Sequence, residues 1–308
     1  MATFVFPGQG SQRVGMAREI VEASPLGAAL FRRASAALSL DLVAVCDSPQ
    51  VNETEYTQPA IVAISVALAQ AFIAATGVEA TLLAGHSLGE YSALVVAGAV
   101  PFGSALRLVR RRGQLMQEAS GDVGAMAAVV QKPLQLETIG RIIAECGVAL
   151  ANHNSPSQVV LSGPRSQLEL ALDRLRAACP KPRLIAIPLK VSAAFHSDAM
   201  HRIEAPFRAA LIDEQPSFAA DRALRVYSNA HRRAYDGRPS DLLEGLVGQL
   251  AASVDWLDAM EQVRGASPPI VEIGPSAPLS RFFKEIGVVV DVVSDIASVG
   301  AWRPEERG

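Results

Sequence analysis

Cysteine is scarce in this 308-residue chain, and the three that occur, Cys46, Cys146 and Cys179, lie far apart. No pair has the spacing of a metal site or a redox couple. Inert thiols in a reducing cytoplasm are therefore expected. Excess positive charge is also missing. A formal net charge of −3 offers no basic footprint for nucleic acid, so none is expected as a partner. No uninterrupted apolar run approaches the ~20 residues of a membrane span, and the N-terminus lacks the basic-then-apolar layout of a signal peptide. No repeat or low-complexity tract stands out. What remains is a chain that is 50% hydrophobic and only 19% charged, which predicts a sizeable buried core. Its length suits one large α/β domain or two smaller ones. A soluble, cytoplasmic, monomeric protein with no membrane partner is expected.

The most informative stretch is Gly85-His86-Ser87-Leu88-Gly89, a G-x-S-x-G pattern. Ala80-Thr81-Leu82-Leu83-Ala84 before it suits a buried strand, and Glu90 to Ala97 after it reads as the first turns of a helix. A serine on such a strand-to-helix turn is lifted out of the core with its hydroxyl exposed. The flanking glycines permit the close backbone approach that the turn needs. The N–H of Leu88 would sit at the helix N-terminus, where it can face an oxyanion. By itself this pattern is compatible with any serine esterase, and also with an ordinary glycine-punctuated turn.

Ala2 to Phe6 reads as a strand ending in the polar glycine loop Pro7-Gly8-Gln9-Gly10-Ser11. Residues 58–75 read as a buried helix, and helical spacing returns at 103–119 and 198–212. Between the latter two the texture changes. Strand-like runs at 125–130, 149–152, 158–163 and 183–189 alternate with helical runs at 134–145 and 166–178. That β-α-β-β-α-β order is the split βαβ signature of a ferredoxin-like unit. The expected organisation is an α/β-hydrolase-like body with a parallel sheet, residues 1–123 and 191–308, interrupted by a ferredoxin-like subdomain over 124–190. Within the resumed body, 224–229 reads as a strand, 240–263 as one helix, and 270–273 as a strand.

A serine needs a base within hydrogen-bond reach. Of five histidines, His86 inside the elbow is expected to point away from the serine. His153 has no evident role, and His201 and His231 fall in polar surroundings. His196 follows Val191-Ser192-Ala193-Ala194-Phe195, where the chain leaves the inserted unit, and is the candidate base. Arg112 lies in a run with Arg110 and Arg111, and such a run by itself reads as a solvated helix face.

Eight short motifs resemble one family, in order from residue 4 to about 283. They are Phe6 to Gln12, Tyr56 to Ala60, Gly85 to Tyr91, Arg112-Gly113 with Met116-Gln117, Gly124-Ala125-Met126, Asn152 to Pro156, Phe195-His196-Ser197 and Glu272 to Pro275. Together they are similar to the malonyl-CoA:acyl-carrier-protein transacylases and the related acyltransferases of polyketide synthases. The resemblance implies that Ser87 attacks the thioester of malonyl-CoA with His196 as general base. It implies an oxyanion hole from the N–H groups of Gln9 and Leu88, and a carbonyl oxygen at Gln249, in place of an acid, orienting the histidine. Arg112 would then pair bidentately with the malonyl carboxylate. Gln58, Asn152 and Asn154 would line the same pocket, and Phe195 would crowd an α-methyl branch.

The implied partner is an acyl carrier protein, with Arg232, Arg233, Arg281 and Lys284 as candidate docking residues, and no metal or redox cofactor. A serine hydrolase, or an acyltransferase moving another acyl group between carrier proteins, remains open on these residues.

Overall fold

The computed structural model describes residues 1–120, 124–191, 193–266 and 269–303. Residues 121–123, at the expected boundary of the inserted unit, and Ser192, before the candidate base, lie outside that description.

Four strands form a parallel sheet in the order Asp291–Val293, Ile270–Ile273, Ala2–Phe6, Ala80–Gly85. Ala2–Phe6 and Ile270–Ile273 are buried at every residue. This is the pattern of a parallel sheet covered by helices on both faces, and it explains why these strands are mostly apolar, Thr3 and Glu272 excepted, and do not alternate. The fold is α/β. The carboxyl ends of three adjacent strands lead into Pro7-Gly8-Gln9, His86-Ser87 and Gly274, and crevices at such ends are where open α/β sheets bind ligands.

The helix Thr54–Thr76 has 23 residues and a mean hydropathy of 1.9, long and apolar enough by length and composition to cross a membrane. Its apolar run is not uninterrupted, since Thr57, Gln58, Ser65 and Gln70 fall within it. It is a core helix. Most of its residues, from Thr57 through Ala69 and Phe72, are buried, and it packs against the helices Gly89–Ala97 and Phe102–Ser120.

A second sheet has five strands in the order Ile185–Pro188, Gly124–Val130, Gln158–Pro164, Ala149–Ser155, Val254–Asp255. The first four pair antiparallel, and with the helices Leu136–Glu145 and Arg165–Ala178 they follow the β-α-β-β-α-β order. These elements have a hydrophobic cluster of their own, which includes Val129, Ile139, Ile142, Leu161, Leu168 and Leu175. The fifth strand comes from much later in the chain and adds in parallel to Ala149–Ser155.

That strand accounts for a departure from the sequence expectation. Residues 240–263 are not one helix. They form helices Pro239–Gly248 and Trp256–Arg264, with Val254–Asp255 between them. Pairing with Asn152 and His153, together with the side chain of Asp255 capping the second helix through Asp258 N, outweighs helical continuity. Similarly, 224–229 is reduced to the two-residue strand Tyr227–Ser228 after a 3₁₀ turn over Ala220–Arg225.

Candidate active site

The strand Ala80–Gly85 and the helix Gly89–Ala97 are joined by a turn so tight that its glycines are sterically required. A Cβ on Gly85 would lie 1.9 Å from the carbonyl carbon of Gly89, and one on Gly89 would lie 2.2 Å from the Phe6 oxygen. The turn holds Ser87 at φ 49°, in the left-handed region, a conformation that costs about 1–2 kcal/mol for a residue with a Cβ. Asn229 ties the turn down. Its Oδ1 accepts from Ser87 N at 3.3 Å, and its Nδ2 donates to Gly85 O at 2.8 Å. Strain held by surrounding structure in this way is typical of functional turns.

Ser87 Oγ lies 2.8 Å from His196 Nε2. His196 is also in the left-handed region, at φ 52°, and is buried. Its Nδ1 lies 3.1 Å from Gln249 O and 3.0 Å from Ala252 O. Both are acceptors only, so Nδ1 carries the proton and Nε2 presents the lone pair that accepts from the serine hydroxyl. Burial, followed by the charges of Arg112 and His86, pushes the imidazole down to about 3. The ring is neutral across the physiological range. The break in the helix is what makes these carbonyls available. In an unbroken helix each would accept from the N–H four residues on.

Arg112 is buried at 2% exposure, which overturns the solvated reading of the arginine run. Successive side chains on a helix point about 100° apart, so the three arginines separate. Arg110 Nη1 donates to Leu38 O at 2.9 Å, and Arg111 faces Glu118 at the surface. Arg112 turns inward, with Nη1 donating to Gln58 Oε1 at 3.1 Å and Nη2 donating to Gln249 Oε1 at 3.0 Å and Ser87 Oγ at 3.2 Å. Its Nε has no partner. Gly113 allows this depth, because a Cβ there would meet Glu55 Cα and Thr54 O at 2.8 Å. Among the described residues no carboxylate bonds Arg112.

A cavity of about 530 Å³ opens over these groups, lined by Gln9, Leu88, Arg112, Asn152, Phe195 and His196 among others. The N–H groups of Gln9 and Leu88 make no hydrogen bond among the described residues, so both are free to donate into it. A larger cavity of about 950 Å³ lies elsewhere, around Gly147, Ser162, Asp198 and Arg202, and contains none of Ser87, Arg112 or His196.

Residues 3–308 match the acyl transferase domain. The chain belongs to that family. It is 37% identical to a malonyl CoA-acyl carrier protein transacylase of Escherichia coli O157:H7 over 292 residues, 92% of each chain. The malonyl-CoA:acyl carrier protein transacylase of Xanthomonas oryzae pv. oryzae superposes with a TM-score of 0.88 at 34% identity, covering 98% of both chains. A malonyl-transacylase solved in complex with its type II PKS acyl-carrier protein gives a TM-score of 0.87 at 35% identity, covering 96% of this chain and 97% of that one.

Within this acyl transferase, Ser87, His196, Arg112, Gln58 and Gln249 form one bonded cluster, while Gln9, Leu88, Asn152 and Phe195 face the cavity. Two expectations need correcting. Neither Gln58 nor Asn154 is among the residues that line that cavity, Gln58 being tied to it through Arg112. The Asn154 Oδ1 lies 2.9 Å from His86 Nε2 and its Nδ2 donates to Gln158, because the register irregularity between His153 and Ser155 breaks the alternation that would set it beside Asn152. The Gln249 oxygen that faces His196 Nδ1 is its main-chain carbonyl, a place it shares with that of Ala252, while the Gln249 side chain serves Arg112.

Of the four candidate docking residues, Arg232 pairs with Asp255 and Asp258, and Arg233 with Asp241. Only Arg281 and Lys284, both exposed, have no ion pair among the described residues.

Sequence reasoning missed a buried hub at Glu90. Its carboxylate accepts from Tyr235 Oη, from Asn229 N and Nδ2, and from Gln249 Nε2. Burial pushes this carboxyl up, while the surrounding donors favour its ionised form. The available signal was a glutamate inside an otherwise apolar helix, Gly89–Ala97, that has little exposed face.

Proposed function

We infer that this acyl transferase moves a malonyl group from malonyl-CoA, through an ester on Ser87, to the phosphopantetheine thiol of an acyl carrier protein in fatty-acid or polyketide biosynthesis. The observation that carries the assignment is the Arg112 guanidinium, buried without a carboxylate partner and 3.2 Å from the candidate nucleophile. A buried cation with no carboxylate bonded to it is costly; Glu90 acts on it only from beyond the Gln249 amide, and an acyl group with a free carboxylate supplies a bonded charge where the reaction occurs. The names of its relatives and solved neighbours point the same way.

In the first half-reaction Ser87 Oγ attacks the thioester carbon and its proton passes to His196 Nε2. The N–H groups of Gln9 and Leu88 hold the oxyanion. The C–S bond then breaks and the imidazolium gives its proton to the departing CoA sulfur. The second half-reaction reverses these steps, with the carrier-protein thiol as nucleophile. Main-chain carbonyls behind His196 fix the tautomer but stabilise imidazolium less than an acid would, which favours a readily reversible transfer. No metal or redox step is needed, since bond making and proton transfer are complete within these residues.

The inserted unit over 124–190 covers the serine and narrows access for water. Phe195 disfavours an α-methyl branch. The enzyme acts as a cytoplasmic monomer, and Arg281 and Lys284 are what remains of the basic surface for an acidic carrier protein.

Intact-protein mass spectrometry after exposure to a panel of acyl-CoAs tests the assignment. Malonyl-CoA should leave a malonyl adduct that is absent in Ser87→Ala and that moves to added phosphopantetheinylated carrier protein. Malonate appearing only as free acid, with carrier protein present, would make the protein a hydrolase.

A further inference from the structure

Ser87 Oγ is held from two sides. It donates to His196 Nε2 at 2.8 Å and accepts from Arg112 Nη2 at 3.2 Å. One of the two lone pairs on the hydroxyl oxygen is thus engaged by a cation, which draws electron density from the nucleophile. The same charge lies beside the imidazole, which must become imidazolium as the serine gives up its proton. Arg112 has only neutral acceptors to hold it, the amide oxygens of Gln58 and Gln249 and the serine hydroxyl. The Gln249 amide is itself anchored, donating to Ser87 O at 3.1 Å and to Glu90. The guanidinium thus donates to an amide that is itself fixed in place. Its unpartnered Nε–H and its Nη2 lie along one edge, the edge a carboxylate grips with two parallel hydrogen bonds.

We propose that Arg112 latches the nucleophile, and that the carboxylate of the acyl donor releases it by drawing Nη2 off Ser87 Oγ and neutralising the guanidinium. Selection for a carboxylated acyl group is then exerted on the rate of ester formation as well as on binding. A donor without a carboxylate meets a serine oxygen that is hydrogen-bonded to a cation and a base that resists protonation. The latch rests on the malonyl assignment for its natural key, but the bonds that form it are properties of the unliganded protein.

A small uncharged serine reagent, phenylmethylsulfonyl fluoride, reads the latch without any acyl-CoA. With the full chain at constant ionic strength, formate should accelerate labelling of Ser87 saturably, by tenfold or more, with chloride as the inert control. Arg112→Met should label faster than the unsubstituted protein and ignore formate. In single-turnover experiments, formate should also raise the rate at which acetyl-CoA acylates Ser87.

Labelling that formate leaves unchanged or slows in the unsubstituted protein overturns the latch, whether or not Arg112→Met folds. The two assignments fail separately. If malonyl-CoA leaves no adduct while formate still speeds labelling, the substrate is wrong and the latch stands. If malonyl-CoA acylates while formate does nothing, the latch alone is lost.

Discussion

The two halves of the candidate catalytic pair are built differently. Ser87 stands on a strand, a turn and a helix that are contiguous over residues 80–97, and the turn's geometry is enforced by glycines with backbone atoms closer than any Cβ could approach. His196 has no such local frame. Its ring is oriented by carbonyls more than fifty residues away, at Gln249 and Ala252, which face it because a helix stops and a short strand joins the second sheet. The nucleophile's position is written into adjacent residues by steric exclusion. The base's position depends on the assembled fold. Damage to the first should therefore appear as instability, and damage to the second as lost chemistry in a folded protein.

The largest expected effect on that contrast comes from His196→Ala. Acylation of Ser87 should fall by about 10³-fold, within the range for losing a general base, while the urea midpoint changes little. A comparable loss of folded protein would show that the base side is structural too. On the nucleophile side, Gly85→Ala should destabilise the fold by about 3 kcal/mol, because the added carbon meets backbone and has no flexible neighbour to displace. Equilibrium urea denaturation measures this, and a change below ~1 kcal/mol would contradict the steric account.

Arg112→Ala should reduce the preference for malonyl-CoA over acetyl-CoA by roughly 10- to 150-fold, corresponding to a charge-assisted bond of ~1.5–3 kcal/mol. Competition between the two donors, read by mass spectrometry, gives the ratio. Gln249→Ala separates two functions of one residue. The main-chain carbonyl that faces His196 survives the substitution while the amide that holds Arg112 is lost. Malonyl preference should therefore fall more than the acylation rate with malonyl-CoA.

The smallest effect concerns pH. Burial, Arg112 and His86 push His196 down to about 3 from 6.5. A base must be unprotonated to act, so kcat/KM for acylation should show no inflection near 6.5 and should decline only as pH falls toward 3. For stability the sign is the same. A depressed histidine contributes fully above pH 6.5, and that contribution is lost as pH drops toward 3, where the folded ring finally takes its proton. An acid limb of kcat/KM near pH 6–7 would mean that the ring is far less shielded than its surroundings indicate.

The elbow, the buried strands and the β-α-β-β-α-β order were legible because each depends on residues close together in the chain. Apolar runs bounded by glycine and proline and the 3.6-residue spacing of helices carry that information locally. The division of 240–263 was not legible. Its sequence supports helix throughout, and only the exposed edge of a distant strand supplies the competing partner. The inward turn of Arg112 was visible by resemblance but not from composition, since three consecutive arginines look alike until packing sorts them. Asn154 failed for the opposite reason. It is two residues from Asn152, but the bulges in its strand and the reach of His86 claim its amide.

By itself the sequence determined a parallel α/β sheet, a strained serine on its switch from strand to helix, and an array of motifs pointing to acyl transfer. The sheet and the turn follow from local sterics and hydrophobic patterning, and the acyl-transfer reading from the resemblance of the motifs to one family. Only the tertiary structure decided that Arg112 is buried beside the serine with no carboxylate among the described residues bonded to it, that His196 is held neutral by burial and the nearby Arg112 while two freed carbonyls orient its ring, and that Glu90 anchors the Gln249 amide. Burial, desolvation and the pairing of charges are properties of how distant segments enclose a space, and no spacing along the chain specifies them.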